Sequence, residues 1–435
     1  MSGGMISFID AVEEKLRTTF TGKVIELSKE LISIPTVNPP GTNYKEIVSL
    51  LTRVLRDLGF DVREYSVPRD EFSKYGISEG SEDRINVVAV KRFGRGGRKV
   101  HIHTHYDVVP PGSGWSKDPF RPVVEGGKLY GRGASDMKCA VAASIYGIKI
   151  LEELDEELGL DLNGEVLISI TPDEETGGLA GAGYLTEKGI IRGVDYTVMP
   201  EPTSLTYIWH AHKGCLWYRI RVVGRQAHAT LPHLGINAFE RMTLLAMKFM
   251  EYRKIIGQRV SRFEAYPVEG GKATIAIGGM CGCCDAVNIV PGEAWFTVDR
   301  RVLPKENLAD VEKEILSIVE NFRRNNPDVN IEVKNLLRIE PSYIDPDHEL
   351  VKLIKESVRE ALGVDARPVL CPGFLNTRYF IKSSMPAVAW GPGDLGQAHA
   401  PNEYIELDKL FKWAKALTVL IKKTMEGWTP LTHIG

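Results

Sequence analysis

The sequence predicts an α/β protein of two domains: a discontinuous larger domain on a mixed, largely parallel sheet with helices on both faces, and an inserted ferredoxin-like α+β domain. Three observations carry this. The chain of 435 residues is longer than a single domain usually runs. Helical and strand patterns alternate along its first half, the order that gives a parallel sheet covered by crossover helices. Near Lys213 that alternation stops, and it resumes after about residue 340.

In the first segment, VIELSKELISI and YKEIVSLLTRVLRDLGF repeat apolar residues at helical spacing, whereas RINVVAVKRF, RKVHIHTHYDVV and GEVLISITPDE read as strands. The connections near 69–83 and 95–98 are polar and glycine-rich, as surface loops are. From Lys213 the order is a strand (CLWYRIRVV), a helix (NAFERMTLLAMKFMEYRKI), the strands ATIAIGG and EAWFTVDRRV, a helix (LADVEKEILSIVENFRR) and a strand (NIEVKNLLRI). This β-α-β-β-α-β order is the ferredoxin-like arrangement. HELVKLIKESVREALG, ARPVLCPG, PAVAWGPG and DKLFKWAKALTVLIKK then return to alternation. The boundaries that follow are 1–212 with 339–435 for the larger domain and 213–338 for the insert.

Composition excludes several function classes. A formal net charge of -3 gives no field to hold nucleic acid. The longest apolar stretches, such as AVAASIYGIKIL, contain a charge and fall short of the roughly 18 to 20 residues of a membrane helix. MSGGMISFIDAVEEKLRTTF carries acids where a secretory leader has a basic start and a long apolar run, so a cytoplasmic protein is expected. Six cysteines are too sparse for a disulfide scaffold. Cys281, Cys283 and Cys284 crowd together without the second ligand pair of a metal site, and unreactive cytosolic thiols are the expectation.

The chemistry-bearing residues sit where predicted strands end. In HIHTHYDVVP the strand period of two puts His101, His103, His105 and Asp107 on one side, and His105 and Asp107 at the C-terminal end, where open α/β sheets place ligands. His105 is therefore a candidate metal ligand with Asp107 behind it, while His101 and His103 keep the commoner reading of hydrogen-bonded structural histidines. In KLYGRGASDMKCAVAASIYG, Asp136 is presented just before an alanine-rich helix. Such an acid is ordinarily a cap, yet a bridging Asp is a standard element of two-metal sites.

ISITPDEETGG runs an apolar strand into Glu174 and Glu175. Paired acids there usually mean a solvated turn, but metal-assisted amide hydrolysis needs one carboxylate that ligates and another that carries a proton. VDYTVMPEPTS ends in Glu201, and AVAWGPGDLGQAHAPNE leads to His399 in a loop. Singly these read as a turn acid and a surface histidine. Together His105, Asp136, Glu175, Glu201 and His399 fall on one edge of the sheet, and one bridging Asp with His plus Glu on each side gives two ions three protein ligands apiece.

HTHYDVVPPGSGWSKDPF, GKLYGRGASDMK, PDEETGG, PEPT and AHAPNE, in this order, resemble the motifs of the co-catalytic zinc deacylases and exopeptidases. That family includes acetylornithine deacetylase, succinyl-diaminopimelate desuccinylase and glutamate carboxypeptidase. The resemblance implies that His105, Glu201 and bridging Asp136 hold one ion, and Glu175, His399 and the same Asp the other. It makes Glu174 the general base and Asp107 the residue that orients His105. It also makes the insert a lid that commonly forms a homodimer. GRQAHATLPHLGINA is similar to the segment whose His polarises the scissile carbonyl, which His228 matches. NIVP and VDRRVLP resemble stretches that offer Asn288 and Arg301 to substrate, and CPGFLNTRYF the glycine-containing substrate loop around Gly373. In that loop Asn376 stands where many members carry Asp, and Phe374 and Leu375 replace small hydroxyl residues.

The expected reaction is hydrolysis of an amide beside a carboxylate: Glu174 takes a proton from water and passes it to the departing amine. N-acyl amino acids or N-acyl diamino acids are the leading substrates, with short peptides, cut by a carboxypeptidase or dipeptidase, as the alternative. A catalytically silent binding protein would lack a ligand or the base, and none is missing. Zinc is the expected ion, and cobalt or manganese suits the same ligands.

Overall fold

The structure, a computed structural model, describes residues 7–283 and 286–426, and Cys284 lies outside them. The chain forms two compact units: Met1–His210 with Ile344–Pro368 and Leu375–Gly435, and Ala211–Tyr343 with Val369–Phe374.

Six neighbouring strands of the first unit's sheet run in the order Asp61–Ser66, Ile85–Phe93, Gly164–Thr171, Arg98–His105, Tyr196–Met199, Ala387–Ala389, and Tyr207–His212 follows antiparallel to Ala387–Ala389. Gly164–Thr171, Arg98–His105, Tyr196–Met199 and Ala387–Ala389 are parallel, so their C-terminal ends share one edge. Asp61–Ser66 and Ile85–Phe93 run antiparallel to their neighbours. The mixed character has a simple cause. Residues 94–97 alone join Ile85–Phe93 to Arg98–His105, and a parallel return needs a dozen or more residues to cross over, so the chain reverses.

Both faces of this sheet are covered, which is why its strands read as apolar runs rather than alternations. Val87 and Ala89 face a cluster shared with Leu27, Leu51, Ile148 and Leu417, while Val88 between them faces a second cluster with Phe72, Tyr184, Leu185 and Phe380. The helix Lys138–Leu158 is buried along its small residues Ala140, Ala142, Ala143 and Gly147. A Cβ on Gly147 would meet Thr418 Oγ1 at 3.4 Å, so that glycine permits the close approach of the helix Leu407–Met425. The packing fixes the start of Lys138–Leu158, and Asp136 with it.

Several pieces go beyond the sequence reading, the strand Asp61–Ser66 among them. Phe8–Lys15 is a helix, Arg69–Tyr75 forms a 3₁₀ turn within the 69–83 connection, and Tyr404–Glu406 pairs with Lys128–Tyr130 in a small sheet.

In the second unit the strands Thr274–Gly282, Glu293–Val302, Gly214–Val223 and Asn330–Ile339 lie in that order, each antiparallel to the next. With the helices Ala238–Ile256 and Leu308–Asn325 between them in sequence, this is the ferredoxin-like arrangement. Leu216, Tyr218, Ile220 and Val222 are buried in a cluster with Leu245, Phe249 and Ile315 of the helices, and Trp217, Arg219 and Arg221 of the opposite face stay partly exposed. Among the described residues no helix is long and apolar enough to cross a membrane.

Candidate active site

The parallel strands deliver the candidate ligands to one edge. His105 ends the strand Arg98–His105 in register with Thr171, which ends Gly164–Thr171. The chain then turns at Asp173 (φ 62°) into a 3₁₀ turn that carries Glu174 and Glu175. Glu201 follows Tyr196–Met199, and His399, also at φ 62°, lies in the loop after Ala387–Ala389. Left-handed backbone is several-fold commoner for Asp and His than for most non-glycine residues, so both corners are accessible to the residues found there.

The five ligand candidates come together in two groups that share Asp136: His105, Asp136 and Glu201, and Asp136, Glu175 and His399. Within each group the potential ligand atoms lie within 4.8 Å of one another. His105 Nε2 stands 3.1 Å from Asp136 Oδ1, and His399 Nε2 stands 3.0 Å from Glu175 Oε2 and 3.7 Å from Asp136 Oδ2. The other nitrogen of His105, Nδ1, is 3.0 Å from the carbonyl oxygen of Asp107 and 3.4 Å from its Oδ1. With a proton on Nδ1 donated there, Nε2 keeps its lone pair for a cation.

Three buried carboxylates that are not ligand candidates, Asp107, Glu403 and Asp173, brace this arrangement. Asp107 accepts from the backbone N–H groups of Glu174 (3.1 Å) and Glu175 (3.2 Å) and from Asn38 Nδ2 (3.0 Å). Glu403 accepts from the N–H groups of Gly133, Ser135 and Asp136 and from Arg132 Nη1. Asp173, the first acid of PDEE, accepts from Arg84 Nε at 2.7 Å, Tyr44 Oη at 3.0 Å and Asn38 Nδ2 at 3.1 Å. Glu403, Asn38, Arg84 and Arg132 were not legible as site residues. Arg132 and Glu403 stand within GKLYGRGASDMK and AHAPNE, whereas Asn38 and Arg84 lie outside all five motifs.

The electrostatics of the cluster fit divalent cations. Burial, first of all, raises Glu201 well above the usual carboxylate range, and Asp136 adds to it. Burial together with Glu175 and Asp136 outweighs His105 and pushes Glu174 up to about 8. Glu175 is raised by burial in the same way. His399 is raised to about 9, chiefly by its hydrogen bond to Glu175. His105 is raised although burial opposes it, through hydrogen bonds to Asp107 and Asp136. These shifts describe carboxylates crowded in low dielectric and short of positive charge. Glu201 Oε1 is buried and has no hydrogen-bond partner, a cost that a coordinated ion would remove. Oxygen and imidazole donors of this kind suit zinc, manganese or cobalt.

His101 and His103 are buried and hydrogen-bonded to Ser169 Oγ at 2.8 and 2.7 Å, with His101 also 3.2 Å from Thr197 Oγ1. They face Phe380 at 5.0 and 4.8 Å and join neither ligand group.

The remaining sequence candidates lie in the second unit. His228 is exposed, and its Nδ1 is bonded to the hydroxyl and N–H of Thr230. It pairs across the ladder with Ile289, next to Asn288, whose carbonyl accepts from Ala229 N. Gly373 is pinned by its carbonyl to Lys213 N at 3.0 Å. Arg301 stands 5.7 Å from the ring of the next residue, Phe374. Cys281 and Cys283 are exposed.

Comparison with known proteins agrees with this chemistry. The profile of peptidase family M20/M25/M40 matches residues 101–423. An acetylornithine deacetylase of Klebsiella pneumoniae is 31% identical over 415 residues, covering 94% of this chain and 97% of the relative. An uncharacterised metallohydrolase of Methanocaldococcus jannaschii is 28% identical over 433 residues, 92% of this chain and 99% of its own. Among solved structures, an M20 family metallo-carboxypeptidase from Sulfolobus solfataricus superposes with a TM-score of 0.72 at 21% identity, covering 93% of this chain and 99% of that one. Human carnosine dipeptidase 1 gives 0.72 at 19% identity, over 96% and 100% of the two chains. The family expected from the five motifs is thus the one found, and the chain belongs to peptidase family M20/M25/M40 as a metallohydrolase of linear amides.

Proposed function

We propose that this chain hydrolyses an amide bond next to a carboxylate, with N-acyl amino acids or N-acyl diamino acids as its leading substrates. The observation that carries the reading is the sharing of Asp136 by two ligand groups, with Glu174 beside them and in neither. In this reading His105, Asp136 and Glu201 hold one ion, and Asp136, Glu175 and His399 the other. When bound, the two ions supply Lewis acidity at the carbonyl and acidify the attacking water.

The chain's own groups do the rest. Glu174 takes the proton from water and passes it to the departing amine, a role that needs a carboxyl titrating near the working pH. Its rise to about 8 agrees in direction. Asp107 fixes both the His105 ring and the backbone of the Glu174 turn. His228 polarises the carbonyl, and Asn288, Arg301 and Gly373 bind the substrate.

Zinc is the ion in this reading. Two copies pair through residues 213–338, and the exposed Phe239, Leu244, Met247, Met250 and Ile255 support such pairing. The buried Cys139 thiol agrees with a cytoplasmic, reducing setting. A carboxypeptidase or dipeptidase activity is the second reading, favoured by the likeness in fold to proteins described as such. Side-by-side assay of N-acetylornithine, N-succinyl-diaminopimelate and a dipeptide panel decides between them, with elemental analysis for the metal and light scattering for the dimer. Cleavage of dipeptides alone would replace the first reading with the second.

A further inference from the structure

The loop from Ala387–Ala389 to His399 does more than carry one ligand candidate. Gly391 and Gly393 let it lie directly on the loops of two others. A Cβ on Gly391 would come within 2.3 Å of Pro200 C and 2.4 Å of Glu201 O, and one on Gly393 within 2.3 Å of Ser135 O and 3.0 Å of Pro202 Cβ. Neither glycine has a positive φ, so it is space that excludes a side chain there. Backbone bonds hold the contact: Leu205 N donates to Gly391 O at 3.0 Å, and Ser204 N to Gly393 O at 2.7 Å. Ser204 and Leu205 are both left-handed (φ 60° and 65°), a conformation that leucine rarely adopts, and these bonds keep them in it.

Asp394 ties the three loops together. Its N–H donates to Ser135 Oγ at 3.0 Å, and its carbonyl accepts from that hydroxyl at 3.2 Å. Its Oδ1 accepts from Ser204 Oγ, and its Oδ2 from Lys409 Nζ of the helix Leu407–Met425 at 2.6 Å. The carbonyl also accepts from Gln397 N at 2.9 Å and Ala398 N at 3.3 Å, closing the turn that ends beside His399. Ser135 precedes Asp136, and Ser204 lies three residues after Glu201. Asp394 itself joins neither ligand group. Its carboxylate and the Lys409 ammonium are partly exposed, a setting in which an ion pair adds little stability. What the pair does fix is the direction of the carboxylate, and with it the bond to Ser204.

We propose that Asp394 is a positioning residue for the whole metal centre, setting through Ser135, Ser204 and its own turn where Asp136, Glu201 and His399 stand. This rests on the two-ion reading of the site. A loop beyond the end of its strand has no ladder to hold it, and metal ligands must stand within about 0.5 Å of their working places. The arms of Asp394 act on different ions. Ser204 supports the loop of Glu201, which serves only the ion of His105, Asp136 and Glu201. Lys409 anchors the loop of His399, which serves only the other.

The test is calorimetric titration of zinc into metal-free wild type, Ser204→Ala, Asp394→Ala and Asp394→Asn, beside thermal unfolding of each metal-free form. Glu201→Ala and His399→Ala mark which binding step belongs to which ion. Ser204→Ala should weaken the step that Glu201→Ala abolishes by about 10-fold or more and leave the other unchanged. Asp394→Ala, which loses Ser204 and Lys409 together, should weaken both steps by about 10- to 100-fold. Asp394→Asn, whose amide still bonds Ser204 but carries no charge for Lys409, should recover the Glu201 step alone. Lower melting temperatures with both affinities unchanged would make Asp394 a merely structural residue and overturn the proposal. So would equal weakening of both steps in Ser204→Ala. A wild type that binds fewer than two zinc ions defeats the two-ion reading itself, and the proposal falls with it.

Discussion

Glu403 and Asp136, 267 residues apart, are joined by a hydrogen bond from the Asp136 N–H to Glu403 Oε1 at 3.1 Å. The same oxygen accepts from Ser135 N at 2.8 Å, and Oε2 takes Gly133 N at 3.1 Å and Arg132 Nη1 at 2.6 Å. One carboxylate thus gathers the loop that presents the shared acid of both ligand groups. Arg132 Nη2 also reaches the His399 carbonyl at 3.4 Å, so the two loops are tied together.

Removing Glu403 should therefore loosen the metal centre without touching a ligand. Glu403 and Arg132 are both essentially buried, and stripping one partner from a buried pair costs about 3–5 kcal/mol. Glu403→Ala should lose stability on that scale in urea unfolding, and Glu403→Gln less. Glu403→Gln should also weaken metal binding by about 10- to 100-fold, as loss of an outer partner does. Metal titration of both variants checks this, and wild-type affinity in both would remove Glu403 from the account.

Asp107 should behave differently. Its two oxygens receive the Glu174 and Glu175 N–H groups, and its carbonyl and Oδ1 face His105 Nδ1. In Asp107→Asn a side-chain amide would confront one of those N–H donors. About 10- to 100-fold should be lost from metal affinity or activity, with thermal stability less affected than in Glu403→Ala. Unchanged kcat/KM and metal content would contradict the role.

His101 gives a pH signature away from the metal centre. Burial lowers it from 6.5 to about 3, so the folded state keeps it neutral while the unfolded chain takes up a proton below about 6.5. Its stability contribution is present above pH 6.5 and lost as pH falls toward 3, at about 1.4 kcal/mol per pH unit. Urea unfolding of metal-free wild type and His101→Gln at pH 7.5 and 5.0 should show the wild type losing about 2 kcal/mol more between the two. Equal losses would mean that His101 titrates normally.

His105, Glu175 and Glu201 were legible because each lies at or just past the end of an apolar run, and parallel strands bring such ends to one edge; Asp136 was read before a helix and His399 in a loop. The braces were not. Glu403 stands inside AHAPNE, yet what it holds lies far back in the chain, and no local pattern encodes that pairing. Asp61–Ser66 escaped because its mostly exposed residues carry no apolar alternation, and the three-residue strands Val123–Glu125 and Lys128–Tyr130 are too short to show any period. Arg301 read as a bare fork for a carboxylate. Its engagement by Asp299, two residues earlier, depends on a strand geometry that places both on one face.

The central claim is that Glu174 carries the proton and holds no metal. Glu174→Gln, measured for both metal content and turnover, tests it most directly. Two metal equivalents per chain with kcat lowered by about 10²- to 10⁴-fold is the predicted outcome. Wild-type turnover, or loss of one metal in step with activity, would contradict it.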